Sequence, residues 1–332
     1  MRIYGLDFTS SPSTTKGLFL AVCKLLGDTL EVEQLVPLNA ERNDATFNPF
    51  RKWLQGSGEW ANPGEWVAGI DFPFGMPVEA IERYGWLANE RASQTWTTYI
   101  AHIKVEYDKE SFRQCIEGWR HPTRTNAKGN PVRVRKHRLT DRLAKSGSPM
   151  NYYPPPVCPM FFQGSRLLLD APPGVSIMPV RPAVTNKVVV EAYPRLVANV
   201  FIGPQASYKD KSKKKHKDKE QQKELRRLDE VAKKECREQI LSGIMTANPE
   251  GRIRGRYGIC VQMSDSIRQA AIKDTDGDTL DSILCAVQAA WAFRTEGHGM
   301  PRFSVHALTE QILLEGWIAD PLVLNRIKNG EG

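Results

Sequence analysis

Apolar runs separated by short polar links dominate the beginning of the chain. The segments "RIYGLDF", "KGLFLAVCKLLG" and "TLEVEQLVPL" each predict a strand, with a turn at Gly27-Asp28 between the second and the third. "FNPFRKWLQ" predicts a short amphipathic helix, and "EWVAGIDFPFGMP" predicts a buried fourth strand that its prolines end. Three successive strands with short connections indicate an antiparallel meander.

The remainder of the chain predicts helices around one more strand. "PVEAIERYGWLANE" reads as a helix, and "KVVVEAYPRLVANVFIG" reads as a fifth strand that runs into a helix. An apolar stripe over 225–240 predicts another helix, and "DTLDSILCAVQAAWAF" predicts an apolar helix packed against the sheet. Large insertions are expected at about 89–185, which is irregular and rich in Pro, Gly and Arg, and at about 204–245. The order of elements indicates one α/β domain with a mixed sheet over 1–332.

Composition narrows the class of protein without naming a function. The 332 residues are 41% hydrophobic and 25% charged, which is typical of a globular protein with a large core. The start "MRIYGLDF" lacks a signal-peptide pattern, and we expect no membrane span. The six cysteines are scattered without a C-x-x-C pair, so we expect a reducing, cytoplasmic environment rather than a zinc or disulfide scaffold.

The net charge of +8 is concentrated in two segments. The run "KDKSKKKHKDKE" is nearly pure lysine, and a solvated insertion is the favoured interpretation for it. The segment 120–145 combines arginines with the aromatic "MNYYPPPVCPMFF" that follows, a mixture that suits phosphate contact and base stacking. A plain basic surface loop is the alternative there. The predicted nucleic-acid contacts are Arg124, Arg133, Arg135, Lys136, Arg138 and Arg142.

Isolated carboxylates interrupt the apolar segments. An isolated carboxylate is costly to bury unless it is paired or bound to a metal, so we expect these acids to converge. A site made of carboxylates without His or Cys suits Mg²⁺ or Mn²⁺, and two such ions can support phosphodiester cleavage. The predicted catalytic and metal-binding residues are Asp7, Asp71, Glu191, Asp278 and Asp281, and the predicted approach loop contains Thr9, Ser10, Ser11 and Ser13.

Each acid also has a structural alternative. Asp278 can cap its helix, with Asp281 favoured by the helix dipole. Asp71 can form a turn before Phe72-Pro73, and Glu191 can pair with Arg195. Asp7 is the hardest of the five to explain by structure alone.

The motifs "GLDFTSSPS", "GIDFPFGMP", "RKHRLTD", "VEAYPRL" and "DTLDSILCAVQAA" together resemble the domain-of-unknown-function family numbered 429. That family is described as predicted nucleases with a ribonuclease H-like fold. The layout is also similar, more distantly, to Holliday-junction resolvases, in which acids on the first and fourth strands meet a D-x-x-D pair on the last helix. The matching residues here are Asp7, Asp71, Asp278 and Asp281.

Two departures from the family pattern are visible. Glu191 stands in the order Glu-Ala-Tyr-Pro instead of Pro-Glu, and Gly277-Asp278 replaces an adjacent acid pair. Arg138, Thr140 and Asp141 match a family segment of unknown role. The resemblance implies a ribonuclease H-like domain, with three antiparallel strands followed by parallel strands, flanked by helices.

The leading hypothesis is a metal-dependent nuclease acting on DNA or RNA. One alternative is a non-catalytic nucleic-acid-binding or scaffold protein of the same fold. A second is an actin- or sugar-kinase-like phosphotransfer protein, because that related fold also begins with a strand aspartate followed by hydroxyl residues. The sequence contains neither a duplicated second domain nor a glycine-rich adenosine loop that would favour it.

Overall fold

The computed structural model describes residues 1–12, 17–38, 47–87, 95–119, 137–152, 156–209, 219–246, 251–303 and 306–331, with the backbone alone at 119 and 219–226. In these ranges the strands are β1 Arg2–Asp7, β2 Phe19–Leu26, β3 Thr29–Pro37, β4 Trp66–Ile70, β5 Ser176–Met178, β6 Lys187–Glu191 and β7 Cys260–Met263. The helices are α1 Asn48–Leu54, α2 Val78–Arg83, α3 Trp96–Glu106, α4 Lys109–Trp119, α5 Leu139–Ala144, α6 Val157–Leu169, α7 Pro194–Ile202, α8 Lys219–Met245, α9 Arg252–Tyr257, α10 Asp265–Lys273, α11 Asp278–Arg294, α12 His306–Glu315 and α13 Pro321–Lys328.

The seven strands form one mixed sheet in the order β5-β6-β4-β1-β2-β3-β7. β1, β2 and β3 pair antiparallel, while β4 joins β1 and β6 joins β4 in parallel. The expected α/β class and the antiparallel meander are therefore confirmed. The arrangement is compatible with the ribonuclease H-like fold that the motifs imply.

Alternation along the strands gives the sheet two buried faces. On one side, which we call the aromatic face, Tyr4, Leu6 and Phe8 pack in a cluster rich in Trp and Phe from α1, α3, α4 and α6. On the other side, which we call the α11 face, Ile3 and Val67 pack with α7, α8, α10 and α11. Successive strand residues point to opposite faces of the sheet, so residues two positions apart along a strand lie on the same face.

α11 is the central helix of the α11 face. Every residue from Asp278 to Ala292 is buried, and the helix packs on β1, β2 and β4. Two glycines make this contact close. A Cβ added at Gly5 would lie 1.9 Å from the Ser282 carbonyl oxygen, and one at Gly69 would lie 2.5 Å from that of Cys285. Gly5 and Gly69 are register partners on β1 and β4, so α11 rests on bare strand backbone.

The region 89–185 corrects the expectation of an irregular insertion. Its described residues contain α3, α4, α5 and α6 and the short strand β5. Thr95 begins α3 with a capping box, and Trp96, Phe112 and Phe161 are buried against the aromatic face. Burial of these faces stabilises the helices despite the frequent Pro and Gly nearby.

None of the described helices is both long and apolar enough to cross a membrane.

Candidate metal centre

Two aspartates meet because two parallel strands end together. Asp7 is the last residue of β1, and Asp71 directly follows β4. Leu6 pairs with Ile70 in the strand register, and the Asp71 backbone N–H donates to the Leu6 carbonyl oxygen at 3.0 Å. Asp7 lies two residues after Gly5, and Asp71 lies two residues after Gly69. Both aspartates therefore lie on the α11 face, as the two glycines do.

The third carboxylate comes from the first turns of α11. The close contact of α11 with Gly5 and Gly69 brings Asp281 over the ends of β1 and β4. Carboxylate oxygens of Asp7, Asp71 and Asp281 lie within 4.8 Å of one another. Asp7 and Asp281 are buried and Asp71 is half-buried. The predicted convergence therefore holds for these three residues, which we call the carboxylate cluster.

Asp278 lies beside the carboxylate cluster without belonging to its closest group. It is 7% exposed, and its charge is one of those that act on Asp7. Asp278 is not the cap of α11, because Gly277 holds the N-cap position and Asp274 accepts hydrogen bonds from N–H groups at the start of the helix. The Asp274 carboxylate accepts the backbone N–H of Thr279 at 2.8 Å and of Gly277 at 3.2 Å, while no side chain caps the helix from Gly277.

Burial and mutual repulsion govern the protonation of the carboxylate cluster. Loss of solvent, followed by the nearby charges of Asp281, Asp278 and Asp71, raises the pKa of Asp7 well above its usual range, and the ammonium of Lys209 opposes this shift. A cation placed among the carboxylates offsets both the lost hydration and the mutual repulsion of these groups. Burial likewise raises the pKa of the Cys285 thiol beneath the cluster, and the neighbouring carboxylates add to that shift.

Lys209 and Tyr208 are part of the site, although the sequence did not point to them. The Tyr208 hydroxyl donates to Asp281 Oδ1 at 2.6 Å, and the Lys209 ammonium pairs with Asp281 Oδ2. Lys209 Nζ also lies 4.0 Å from Asp278 Oδ1. In the sequence Lys209 is merely the first residue of the lysine run, and no local pattern separates it from its neighbours.

Glu191 is directed away from the carboxylate cluster, contrary to the expectation that it would join. It pairs in register with Ile70, whose side chain packs on the aromatic face, so its carboxylate leaves the sheet on the opposite side from Asp7. There it accepts two hydrogen bonds from Arg138, at 2.6 and 2.8 Å, and one from the Phe74 backbone N–H at 3.0 Å. Its partner is thus Arg138 and not Arg195.

Arg138, predicted to contact nucleic acid, is instead a buried structural residue with 1% of its surface exposed. Its guanidinium donates to Asp141 at 2.8 and 3.0 Å, to Glu191, and to the Glu315 carbonyl oxygen at 2.9 Å. Every N–H group of the side chain is directed to one of these acceptors, which leaves it unsuited to bind phosphate. This network gives a structural role to Arg138 and Asp141 of the "RKHRLTD" motif.

The other predicted contact residues are only partly described. Arg142 is exposed on α5, as a phosphate contact requires. Thr9, Ser10 and Ser11, the predicted approach loop, follow Asp7 and are partly or fully exposed. Outside the described residues lie Arg124, Arg133, Arg135, Lys136, Ser13 and most of the lysine run, at 210–218.

The carboxylate cluster fits a hard divalent cation. Oxygen–metal bonds of 2.0–2.6 Å allow two ligands of one ion to lie up to roughly 5 Å apart, which matches the spacing of the three carboxylates. The donors are all oxygens, the set that Mg²⁺ and Mn²⁺ prefer. The Lys209 ammonium among the same acids shows that the geometry accepts positive charge.

A separate cavity of about 760 Å³ lies between α2, α3 and α12. Its lining combines apolar residues such as Val78, Trp96 and Leu314 with the acids Glu79, Glu82 and Glu310. Three carboxylates repel a polyanion, so we do not place a nucleic-acid path there.

Comparison of the chain with family models, with curated proteins and with solved structures gives no match.

Proposed function

We propose that this protein is a metal-dependent nuclease that hydrolyses phosphodiester bonds of DNA or RNA. The observation that carries the proposal is the carboxylate cluster, in which oxygens of Asp7, Asp71 and Asp281, from β1, the residue after β4 and α11, lie within 4.8 Å. Asp278 stands next to this group and adds a fourth carboxylate. We propose that these residues hold one or two Mg²⁺ or Mn²⁺ ions.

Neither the cap of α11 nor the ionic network on the aromatic face accounts for the convergence of Asp7, Asp71 and Asp281. The N-terminus of α11 is capped by Asp274, and the buried ionic network of the aromatic face uses Glu191 and Asp141. Clustered buried carboxylates repel one another and lose hydration, which costs folding free energy. Such a cost is typical of functional sites.

Bound divalent ions would supply an activated water and stabilise the leaving oxygen. The chain's own residues position and shield the site. Asp7 and Asp71 are fixed by the hydrogen-bonded ends of β1 and β4, and Asp281 by the packing of α11 on Gly5 and Gly69. The buried surroundings of Asp7 and Asp281 exclude bulk water from one side of the cluster.

The proposed substrate class rests on charge. The net charge of +8 favours a polyanion, and a carboxylate cluster needs basic residues nearby to offset its repulsion of phosphates. Arg142, exposed on α5, and the arginine-rich segment before it are the proposed source of that charge. The resemblance of the motifs to the family of predicted nucleases agrees with this proposal.

One specific observation favours a second candidate, a non-catalytic nucleic-acid-binding protein. Lys209 already neutralises part of the charge of the carboxylate cluster through Asp281. A protein that kept the fold but had abandoned metal chemistry would also present such a pair.

A cleavage panel separates the two candidates. Plasmid, branched DNA, single strands and RNA are each incubated with Mg²⁺, Mn²⁺ or EDTA, using the parent, Asp7→Asn and Asp265→Asn. Asp265 is an exposed acid at the start of α10 and serves as the matched control. Metal-dependent cleavage that Asp7→Asn loses by orders of magnitude, and Asp265→Asn retains, supports the nuclease. Binding that survives EDTA, without cleavage of any substrate, supports the non-catalytic candidate.

A further inference from the structure

Lys209 occupies the position of a counter-ion within the carboxylate cluster. Its ammonium pairs with Asp281 Oδ2 and lies 4.0 Å from Asp278 Oδ1, while 19% of its side chain remains exposed. Its stem runs over Gly277, where an added Cβ would lie 3.0 Å from Lys209 Cγ and 3.4 Å from Cε. Because Gly277 has no side chain, the lysine reaches the acids along the surface of the α11 N-terminus.

The backbone that carries Lys209 is anchored independently of the ammonium. Arg237 on α8 donates to the Tyr208 carbonyl oxygen at 2.7 Å and to the Ile272 carbonyl oxygen at 2.8 Å. The Tyr208 hydroxyl adds its bond of 2.6 Å to Asp281 Oδ1. The flexible stem of Lys209 can therefore swing without any movement of the segment that bears it.

Both oxygens of Asp281 are thus engaged by groups of the chain itself. Oδ1 accepts from Tyr208 and Oδ2 pairs with Lys209. A divalent ion bound by Asp7, Asp71 and Asp281 needs an Asp281 oxygen, and it repels an ammonium on the same carboxylate. Tyr208 is neutral and can keep its hydrogen bond to Oδ1, whereas Lys209 carries the conflicting charge.

We propose that Lys209 is an internal cation that competes with the divalent ion for Asp281, so that metal binding requires the ammonium to swing out of the site. This inference rests on the proposed function, since it assumes that the carboxylate cluster binds a metal. It makes Lys209 a residue that sets the metal affinity of the site. In the metal-free protein, Lys209 limits the repulsion among the acids.

If Lys209 competes with the metal, its removal should change the affinity of the site for Mn²⁺. Calorimetry, or the electron paramagnetic resonance of free Mn²⁺, measures this affinity. Lys209→Met should bind Mn²⁺ at least tenfold more tightly than the parent, because the competing charge is gone. Tyr208→Phe, which leaves the ammonium in place, should show a much smaller gain. Lys104→Met is the matched control, since Lys104 pairs with Asp170 on the far side of the sheet.

The outcomes separate this inference from the proposed function. Equal affinity in the parent and Lys209→Met, or weaker binding in the variant, overturns the competition while the metal site stands. Absence of Mn²⁺ binding in both proteins overturns the competition and the metal site together. Tighter binding in Lys209→Met alone supports the inference, whatever the cleavage panel shows.

A second measurement uses the unaltered protein and is independent of how the variant folds. Acetic anhydride labels lysines according to their accessibility, and mass spectrometry reports the extent at each position. Saturating Mg²⁺ should raise labelling of Lys209 several-fold, because displacement frees the ammonium. Exposed Lys273 on α10 provides the internal reference and should not change. Labelling of Lys209 that stays constant, or falls, when Mg²⁺ is added would overturn the proposal.

Discussion

Asp7 couples protonation to folding, because its carboxyl is buried among other acids. Burial first, and the neighbouring carboxylates after it, raise its pKa well above the unfolded value, so the folded protein holds this proton to higher pH than the unfolded chain does. The contribution of Asp7 to stability is therefore most favourable below its unfolded pKa. It declines as pH rises through the folded pKa.

Replacing Asp7 by Asn removes this dependence. In EDTA, Asp7→Asn should have a larger free energy of unfolding than the parent near neutral pH, and the difference should shrink toward zero as pH falls to about 4, the unfolded pKa of Asp. Urea denaturation between pH 4 and pH 8 measures both proteins. A constant difference across that range would mean that the Asp7 carboxyl is not the titrating group.

Arg138 differs from Asp7, because its buried charge lies among partners of the opposite charge. Arg138→Met should lower the free energy of unfolding by about 3–5 kcal/mol, since Glu191 and Asp141 would remain buried without their cation. Arg142→Ala, an exposed change four residues along the same segment, should stay within about 0.5 kcal/mol of the parent.

Nucleic-acid binding adds an independent readout for this pair. Arg142→Ala should weaken binding and Arg138→Met should not, beyond any loss of folded protein. The reverse order would return Arg138 to the nucleic-acid interface and contradict its structural role.

Single residues also show what the sequence alone can predict. The sequence points to Asp7, Asp71 and Asp281 because each interrupts an apolar segment and ends a strand or opens a helix. Glu191 meets the same criteria, but its side chain lies on the opposite face of the sheet from Asp7. Only the register of Ile70 with Glu191 reveals this difference. Lys209 was missed because its pairing depends on how α8 and α10 anchor Tyr208, which the lysine run does not encode.

At the scale of elements, the contact of α11 with β1 and β4 builds the site. Gly5→Ala would place a methyl group 1.9 Å from the Ser282 carbonyl oxygen and 2.3 Å from the Ala286 backbone nitrogen. Backbone atoms cannot turn aside as a side chain does, so α11 must lift from the sheet. We expect a loss of roughly 3 kcal/mol or more in the free energy of unfolding, together with weaker Mn²⁺ binding as Asp281 moves away from Asp7.

Gly255→Ala is the matched control for this prediction. Gly255 is exposed within α9 and an added Cβ meets no atom within 4 Å, so the change should lie within about 1 kcal/mol of the parent. Thermal or urea unfolding compares the two variants. A Gly5→Ala protein as stable as Gly255→Ala, with unchanged Mn²⁺ affinity, would show that the close helix contact is not required.

The elements differ in how far the sequence specified them. β1 to β4, β6 and α11 carry strong apolar patterns and lie where the sequence predicts. The helices of 89–185 were missed because Pro, Gly and Arg obscured their apolar positions, and their formation depends on the aromatic face that they cover. β7 consists of four residues, too short for a pattern, and it forms by pairing with the edge of β3.

For the whole molecule, the carboxylate cluster links distant parts of the chain. Asp7 and Asp71 lie at the ends of the sheet strands β1 and β4, whereas Asp281 lies on α11 and Lys209 in the segment between α7 and α8. A ligand bound by these residues holds the sheet to the helix that packs on it. Its binding free energy should therefore increase the free energy of global unfolding, and not only stabilise the region around the site.

Metal-linked stability is the prediction that follows at this scale. If Mn²⁺ binds only the folded state, a free concentration of 100 times Kd adds about 2.7 kcal/mol to the free energy of unfolding and raises Tm. Because protons compete for Asp7, whose pKa is raised, this gain should decline as pH falls. Asp7→Asn should lose most of the gain, and Asp265→Asn, at an exposed position outside the cluster, should keep it. Differential scanning fluorimetry with and without Mn²⁺ measures all three proteins. An equal Mn²⁺-induced rise of Tm in Asp7→Asn and in the parent would place the bound ion outside the carboxylate cluster, and the case for a nuclease would lose the observation that carries it.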